Sequence, residues 1–360
     1  KLTVLDATNP QLTLAYDGSN YNTFKTNISG NLIIKPTGDS IWIGADPSAT
    51  ISSSAQSNTS VGAQSLQSIT SGSYNTAVGY QSQKDVTIGY QNTSIGDSSL
   101  ENVTSGYRNI GVGYQAGVLL TAGIANTIMG WYAGRTMGSS NYNTLIGYGS
   151  GRNITQTGSS YNTALGTQPM YYIVSGTNNV ALGSQTLRGI SGITSGNSKN
   201  VAVGDYALYA ASGCNYNVAV GYYSGKEITD GQQNVMVGYY AGSNTTTADY
   251  NTYIGNYAGI TGSTAKGGTA VGNEALRLNE TGDYNTAIGY QALYYTSGGS
   301  NTALGRQAGK NLGDGDGNVH LGVGSGPSSL THEDDKLYIA NAAGTPLIGG
   351  DFSAKTVTID

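Results

Sequence analysis

NTSVG at residues 58–62, NTAVG at 75–79 and NTSIG at 92–96 are copies of one five-residue pattern. The pattern is Asn, a β-branched residue, a residue that is usually small, then usually Val, Ile or Leu, and Gly. It occurs sixteen times between Asn58 and Asn318, and Gly268 is the single replacement of the Asn. Most copies start at a constant spacing of 17, as these three do, and the exceptional spacings are 19, 21 and 16. A register kept over so many copies indicates a repeat architecture.

A unit of this length is too short for a helix pair or a propeller blade, but it fits one coil of a β-solenoid. The first and third residues after the Asn are apolar or Thr, which is the period-two pattern of a very short strand. We expect Thr76 and Val78 to point into the core and Ala77 to point outward. The sequence therefore predicts an all-β fold, a parallel β-solenoid (β-roll) of about sixteen 17-residue coils.

The Asn and Gly of each coil are predicted corner residues. Asn tolerates left-handed backbone angles, and stacked Asn side chains can hydrogen-bond along the axis. Gly allows a sharp bend and close stacking on the neighbouring coils. Glycines four residues further on, such as Gly117 and Gly134, predict a second bend and hence two short strands per coil. The residues that represent this structural repeat are Asn75, Val78, Gly79, Asn217, Val220, Gly221, Asn285, Ile288 and Gly289.

The composition excludes several classes of protein. The chain of 360 residues has 55 Gly and only 37 charged residues (16 Lys and Arg plus 21 Asp and Glu), so long helices and disorder are both disfavoured. No apolar run is long enough to cross a membrane, so we expect no membrane insertion. Cys214, His320 and His332 are the full set of Cys and His. They cannot build a disulfide framework or a Cys/His metal cage, and we expect no metal site and no cofactor.

The segments on both sides of the repeats read as β caps or connectors. Residues 1–50 show strand patterns at Leu2 and Val4, Leu12 and Leu14, Ile34, and Ile41 and Ile43, with turns at Asn9-Pro10, Asp17-Gly18 and Ser29-Gly30. Residues 326–360 show them near 337–339, 347–348 and 357–359. We therefore predict an N-terminal cap at 1–50, a solenoid shaft at 51–325 and a C-terminal cap at 326–360, because an uncovered end coil would recruit other chains.

The thin core predicts association with further copies of the chain. Ordering the residues of one coil costs more free energy than its four or five inward aliphatic side chains return. Hydrogen bonds between coils supply part of the difference, and burial of the outward face and the tyrosines against other subunits could supply more. We therefore predict a homotrimer.

The sequences NTAVGY, NVAVGY and NTAIGYQAL resemble the head repeats of YadA-like trimeric adhesins and, more strongly, the shaft repeats of bacteriophage tail fibres. The resemblance covers residues 58–322. The flanking sequences KLTVLDATNPQLTLAYDGSNYNTF and LYIANAAGTPLIGGDFSAKTVTID are similar to segments that bracket such shafts in fibres ending in an endosialidase-type intramolecular chaperone, without the chaperone itself. The resemblance implies a trimeric parallel β fibre that attaches to a cell surface. The 17-residue coil is longer than the YadA-like unit.

Two features indicate a ligand-binding patch. No Asp or Glu occurs between Glu101 and Asp205, whereas that stretch holds Arg108, Arg135, Arg152, Arg188 and Lys199. Such a positive belt could meet anionic glycans, or it could simply keep the rod soluble. The two long coils insert residues at 154–160 and 189–197, and TQPMYYIVSG at 167–176 lies between them. The candidate ligand-binding residues are Tyr171, Tyr172, Arg152, Arg188 and Trp131.

Tyrosines recur beside the corners and could stack on sugars, although regular recurrence more often serves structure. One set follows a coil Gly: Tyr80, Tyr90, Tyr114, Trp131, Tyr148, Tyr222, Tyr239 and Tyr290. The other precedes a coil Asn: Tyr74, Tyr142, Tyr161, Tyr216, Tyr250 and Tyr284. We expect both sets to form ladders along the rod.

No residues point to catalysis. Glycan-cleaving tailspikes need two positioned carboxylates, and Asp205, Glu227 and Asp230 are not singled out by any motif. The Asp-Gly alternation at 312–318 would repeat in every coil of a calcium roll, but it occurs once, which favours a turn.

We therefore expect a non-enzymatic, extracellular fibre segment of a virion or cell surface. Its expected partners are its own copies and a host surface glycan or protein receptor, not nucleic acid. The alternatives are an ice- or surface-binding solenoid, which the predicted inward position of the Thr side chains disfavours, and a glycan-degrading tailspike.

Overall fold

The computed structural model describes residues 55–155, 158–192 and 196–359, and the strands at 12–15, 21–26, 32–36 and 41–43. The sequence predictions at Leu2, Val4, Asn9-Pro10, Asp17-Gly18 and Ser29-Gly30 lie outside the described residues. None of the described residues is helical, so none of them forms a helix that could cross a membrane.

The described part of the chain contains 23 short strands. Those before the repeats are β1 (Leu12–Ala15), β2 (Tyr21–Thr26), β3 (Leu32–Pro36) and β4 (Ile41–Ile43). Those of the repeats are β5 (Thr59–Val61), β6 (Thr76–Val78), β7 (Thr93–Ile95), β8 (Ile110–Val112), β9 (Thr127–Met129), β10 (Thr144–Ile146), β11 (Thr163–Leu165), β12 (Val180–Leu182), β13 (Val201–Val203), β14 (Val218–Val220), β15 (Val235–Val237), β16 (Thr252–Ile254), β17 (Thr269–Val271), β18 (Thr286–Ile288), β19 (Thr302–Leu304) and β20 (Val319–Leu321). The last three are β21 (Lys336–Ile339), β22 (Ile348–Asp351) and β23 (Thr356–Ile359).

The strands form one long parallel ladder with a small antiparallel element at each end. β1, β2 and β3 pair antiparallel. From β4 to β21 each strand pairs in parallel with the next, and the pattern residues of successive coils face each other in register, as Thr76 faces Thr93 and Val218 faces Val235. β22 and β23 then add antiparallel. The predicted parallel β-solenoid is confirmed, and its ladder extends one strand beyond the sixteen repeats at each end.

Each repeat coil carries one three-residue strand rather than the two that the sequence suggested. After the strand the described chain makes successive turns, and only four isolated bridges occur outside the named strands of the described residues, such as Tyr107 with Ile124 and Leu120 with Gly138. The predicted second bend does exist, because Gly117 and Gly134 have φ of 62° and 53°. Turns on both sides of this bend leave no extended segment for a second strand.

The Asn residues form the predicted ladder along the axis. The Asn75 backbone N–H donates to Oδ1 of Asn58 at 3.0 Å, and Nδ2 of Asn75 donates to the carbonyl of Gly89 at 2.9 Å. Asn217 repeats both contacts with Asn200 and Gly231, at 3.0 and 2.8 Å. Each of these Asn residues is thus bonded to the preceding coil through its backbone N–H, and Oδ1 of each accepts the N–H of the coil that follows, as Asn75 accepts that of Asn92.

The left-handed backbone was predicted at the wrong residue. The residue before the Asn has positive φ, as in Tyr74 (61°), Tyr216 (58°) and Tyr284 (59°), whereas Asn75, Asn217 and Asn285 do not. The Asn side chain must reach the next coil, so the turn is made one residue earlier.

The Gly that ends each strand is required by stacking. Gly79 has φ of 132°, and a Cβ built there would lie 2.5 Å from the carbonyl oxygen of Gly96 in the next coil. Gly221 and Gly289 face Gly238 and Gly305 in the same way. The prediction of close stacking at these positions is confirmed.

The prediction of which strand residues face the core is wrong. The middle residues Ala77 and Ala219 are fully buried, whereas Val78 and Val220 are half-exposed and Ile288 is 40% exposed. The interior beside the strand is narrow, so a small middle residue fits there. The large core residues come instead from the turns, for example Leu66, Ile69 and Leu100.

Core volume is shared between the middle strand residue and the residue six positions later. Where the middle residue is large, that later residue is Gly, as in the pairs Ile128 and Gly134, Leu145 and Gly151, Met236 and Gly242, Tyr253 and Gly259, and His320 and Gly326. Where the middle residue is Ala or Ser, the later residue is usually Leu, as in Ala202 and Leu208. Three coils combine a small middle residue with Gly, and there a large side chain of the next strand fills the space, as Ile128 does at Gly117.

Tyr253 also explains the single gap in the Asn ladder. Its fully buried side chain crosses the coil, and a Cβ at Gly268 would lie 3.5 Å from both its ring and its hydroxyl oxygen. The Gly268 N–H still donates to Oδ1 of Asn251 at 2.7 Å. An Asn amide at 268 would compete with Tyr253 for the same volume.

The shared core volume can be tested by exchanging one pair. Gly134→Leu alone should destabilise the chain by about 1–3 kcal/mol through overpacking, since a Cβ at Gly134 already lies 2.5 Å from Sδ of Met137. Ile128→Ala alone should cost about 2–5 kcal/mol through the cavity it leaves. The double variant reproduces the arrangement of Ala202 and Leu208, so its loss of stability, measured by urea unfolding, should be smaller than the sum of the two. Strict additivity would contradict the shared volume.

Candidate functional site

Two tyrosine rows flank a surface of aliphatic and Thr side chains, which we call the outer sheet face and define as the first and third residues of strands β5–β20. On this face Ile95, Leu165 and Leu304 are 46–48% exposed. The tyrosines that precede the Asn lie along one side, and those that follow the coil Gly lie along the other. Tyr74 and Tyr80, from the two sides, are 61% and 49% exposed.

The predicted ladders form only where adjacent coils both carry an aromatic residue. Tyr142 stacks on Tyr161 with ring centroids 5.0 Å apart, and Tyr222 stacks on Tyr239 at 5.7 Å. Tyr90 does not belong to the row it was assigned to. Tyr90 follows Gly89, which is not a coil Gly, and lies two positions before Asn92. Its ring stacks on that of Tyr107 with centroids 4.7 Å apart.

The longest tyrosine ladder was missed in the sequence. Tyr206, Tyr223, Tyr240 and Tyr257 lie in four successive coils, with centroids 5.0, 4.9 and 5.6 Å apart. All four have left-handed backbones, with φ between 54° and 60°. Each lies two residues after the coil Gly, so aligning the coils on that Gly would have revealed the row.

The structure brings four of the five candidate ligand-binding residues into one cluster. The Arg188 guanidinium lies 4.6 Å from the ring centroid of Tyr172 and 5.7 Å from that of Tyr171. The Arg152 guanidinium lies 5.3 Å from the Tyr171 ring centroid and donates from Nη1 to the Tyr171 hydroxyl. Such cation–π contacts hold each guanidinium against an aromatic face.

Trp131 lies at the edge of this cluster. Its ring centroid is 5.8 Å from that of Tyr132, and the guanidinium groups of both Arg135 and Arg152 lie over Tyr132, at 5.6 and 5.3 Å. Trp131 is 55% exposed and thus offers an open aromatic surface beside the arginines.

The inserted residues follow the arginines directly. The extra residues of the two long coils begin just after Arg152 and Arg188, and of them the structure describes 154–155, 158–160, 189–192 and 196–197. The insertion residues 156–157 and 193–195 lie outside the described part of the chain.

Asn and Asp side chains form a second set of contacts between coils that the sequence did not reveal. An Asn or Asp two positions before the coil Asn accepts a backbone N–H from the preceding coil: Asn141 from Ile124, Asn215 from Ser198, Asp249 from Gln232, Asp283 from Lys266 and Asp316 from Gly299. Asp316 of the Asp-Gly segment therefore serves a turn. Within the described ranges no three His, Cys, Asp or Glu side chains group to hold a metal ion.

The carboxylates considered for catalysis have neighbours of their own. Asp205 accepts the Ser184 N–H at 2.8 Å, and Glu227 pairs with Lys226 at 2.6 Å. In both contacts a carboxylate oxygen interacts with another residue of the solenoid.

No family model matches the chain, and neither a curated protein nor a solved structure matches it.

His320 lies in the core of the last repeat rather than at a surface site. Its side chain is 1% exposed, stacks on Tyr338 with ring centroids 5.2 Å apart, and has no hydrogen-bond partner for either ring nitrogen among the described residues. Burial lowers the pKa of His320 from 6.5 to about 4, because the charged ring would lose its hydration.

His320 should make the C-terminal end of the solenoid acid-sensitive. As pH falls from 6.5 to 4, the unfolded chain binds a proton that the folded chain excludes, so stability is lost over this window, by about 3 kcal/mol in total. We expect His320→Leu, which copies the buried Leu145, to lose less stability than the native chain between pH 7 and pH 4 in urea unfolding.

The exposed His332 provides the matched control. His332→Gln should retain the acid loss of the native chain. Equal acid losses in the native chain and in His320→Leu would contradict the assignment to His320.

Proposed function

We propose that this chain is the shaft of a homotrimeric surface fibre, carried on a phage tail or a cell surface, which attaches to a host surface and performs no catalysis. The observation that supports this proposal is the outer sheet face. Parallel sheets normally have both faces covered, whereas here only the inner face is covered by the chain's own turns.

The size of the outer sheet face suits contact between subunits. The fifteen parallel pairings from β5 to β20, at about 4.8 Å each, give a length of about 70 Å, and two outward side chains give a width of about 10 Å. The resulting area of about 700 Å² is close to what one partner buries in a standard interface. Its rows of Val, Ile, Leu and Thr repeat with every coil, so parallel copies in register meet like residues along the whole length.

The resemblance to tail-fibre and adhesin repeats supports three copies and an adhesive role. A closed ring of parallel copies needs only a rotation axis along the solenoid. The exposed aromatic rows and the arginine cluster then supply groups that can meet a surface glycan.

A second candidate is an ice-binding surface, and one observation favours it. The Thr row of β5–β7, β9–β11 and β16–β19 faces outward, so the objection that these residues lie inside is removed. It ranks second because Val replaces Thr in β12–β15 and exposed tyrosines flank the face on both sides. Thermal hysteresis of the purified protein would favour this candidate over the fibre.

The oligomeric state can be measured by light scattering after size exclusion. The particle should have three times the mass of the 37.0 kDa chain. The triple variant Val78→Lys, Val220→Lys, Ile288→Lys places charges on the outer sheet face in three separate coils and should lower the mass towards 37.0 kDa. The control Ser71→Lys, Asn244→Lys, Thr281→Lys adds the same charge at exposed positions outside that face and should stay trimeric. A native mass of one chain would refute the fibre.

Attachment can be tested on a panel of bacterial cells and purified surface polysaccharides. We expect the native protein to be retained by at least one of them, with no release of reducing ends. Release of reducing sugar would indicate the tailspike alternative instead. Absence of binding to every cell and glycan would remove the adhesive role but not the fibre.

A further inference from the structure

One position of the coil, nine residues after the coil Asn, carries a row of cations and tyrosines. In six successive coils this row, which we call the cation–tyrosine row, consists of Arg135, Arg152, Tyr171, Arg188, Tyr209 and Lys226. Backbone hydrogen bonds join neighbouring members: the N–H after each of the first five donates to the carbonyl of the next, at 2.8–3.2 Å. The row therefore runs along the rod without a break.

The middle of this row has positive charge without a counterion. Among the described residues Arg135, Arg152 and Arg188 form no ion pair, because no carboxylate occurs between Glu101 and Asp205. In an earlier coil the cation at the same position does have a counterion, because Lys84 pairs with Glu101 at 3.8 Å. The three arginines thus keep charge available for an external anion.

The two central guanidinium groups are held by tyrosines and retain free donors. Nη1 of Arg188 donates to the Tyr209 hydroxyl at 3.0 Å, and its guanidinium lies 5.2 Å from the Tyr209 ring centroid. Nε of Arg152 and Nε of Arg188 are buried and have no hydrogen-bond partner among the described residues, so the Nη groups are the donors that a ligand can reach. The two Nη groups of a guanidinium can bind one carboxylate with two parallel hydrogen bonds.

The spacing fits an extended chain of acidic sugars. Arg152 and Arg188 lie two coils apart, roughly 10 Å at the strand spacing. One pyranose advances a polysaccharide by about the same distance as one coil advances the rod, so carboxylates on alternate sugars would meet both arginines. The rings of Tyr172 and Trp131 beside the row offer faces for the C–H surfaces of the sugars.

We propose that the cation–tyrosine row binds an acidic polysaccharide through its carboxylates, with Arg152 and Arg188 as the main anion contacts. This inference rests on the attachment function proposed above and names the class of its ligand. Nucleic acid is disfavoured because the protein is acidic, with a net charge of −5 and an isoelectric point near 5.0, whereas nucleic-acid binders present extended basic surfaces.

The experiment compares two variants that remove the same charge from the same coil position. Arg152→Gln, Arg188→Gln changes the central pair. Arg277→Gln, Lys310→Gln changes two cations that also lie over a tyrosine, Tyr294, at 5.6 and 5.8 Å, and of these Arg277 pairs with Glu274. Both variants lower the net charge from −5 to −7. Binding of polygalacturonate, alginate and hyaluronate is measured by biolayer interferometry, with dextran and oligo-dT as reference ligands.

We expect the native protein to bind at least one carboxylated polysaccharide but not dextran. The affinity of this binding should fall as the salt concentration rises. Arg152→Gln, Arg188→Gln should reduce the affinity about tenfold or more, and the matched variant should change it little. Arg152→Lys, Arg188→Lys, which keeps the charge but lacks the planar fork, should also weaken binding. Thermal melting of each variant checks that the solenoid is intact.

Three results would overturn the inference. These are absence of binding to all three acidic polysaccharides, equal weakening by the two Gln variants, and tighter binding of oligo-dT. Retention on neutral glycans or cells without acidic binding would leave the attachment function standing and remove only this ligand class.

Discussion

The solenoid depends on the exact superposition of successive coils at the Asn corner. Most of these Asn side chains bond as Asn126 does: Asn126 accepts the backbone N–H of the next Asn through Oδ1 and donates through Nδ2 to Oδ1 of Asn109 and to the carbonyl of Ser140. These groups are buried, so a slip of one residue would leave several polar atoms without partners at once. The ladder therefore fixes the register, and register in turn aligns the strands, the glycines and the surface rows.

Because register is fixed by polar groups, the core can vary in shape. Small and large side chains alternate between the strand and the facing turn, so that Gly134 accommodates Ile128 and Leu208 covers Ala202. Even Tyr253 and His320 are accepted in a position that is otherwise occupied mainly by Ala. The cost of such residues is local: Tyr253 removes one Asn from the ladder, and His320 leaves two ring nitrogens without partners in the described structure.

The period of the repeat, the parallel coils and the Asn ladder could be predicted from the sequence, because they follow from the spacing of Asn and Gly. The inward face could not be read from period-two alternation, which distinguishes two faces but not which one is buried. Residue volume indicates which face is buried, since Ala77 and Ala219 suit a narrow interior and the aliphatic Leu66 and Leu100 lie in the turns. The arginine cluster could be located from the sequence because no carboxylate occurs between Glu101 and Asp205. The continuous row to which the arginines belong could be recognised only once the register of the coils was known.

The surface rows follow one another in a fixed order around each coil. The outer sheet face comes first, then the tyrosines after the Gly, and the cation–tyrosine row nine residues after the Asn. Two aromatic positions, represented by Trp131 and Tyr132, thus separate the outer sheet face from Arg135 and Arg152. Association through the sheet would leave the arginines open, and each added copy would contribute another row. Weak contacts to a long polymer gain most from such repetition, since each further contact becomes intramolecular.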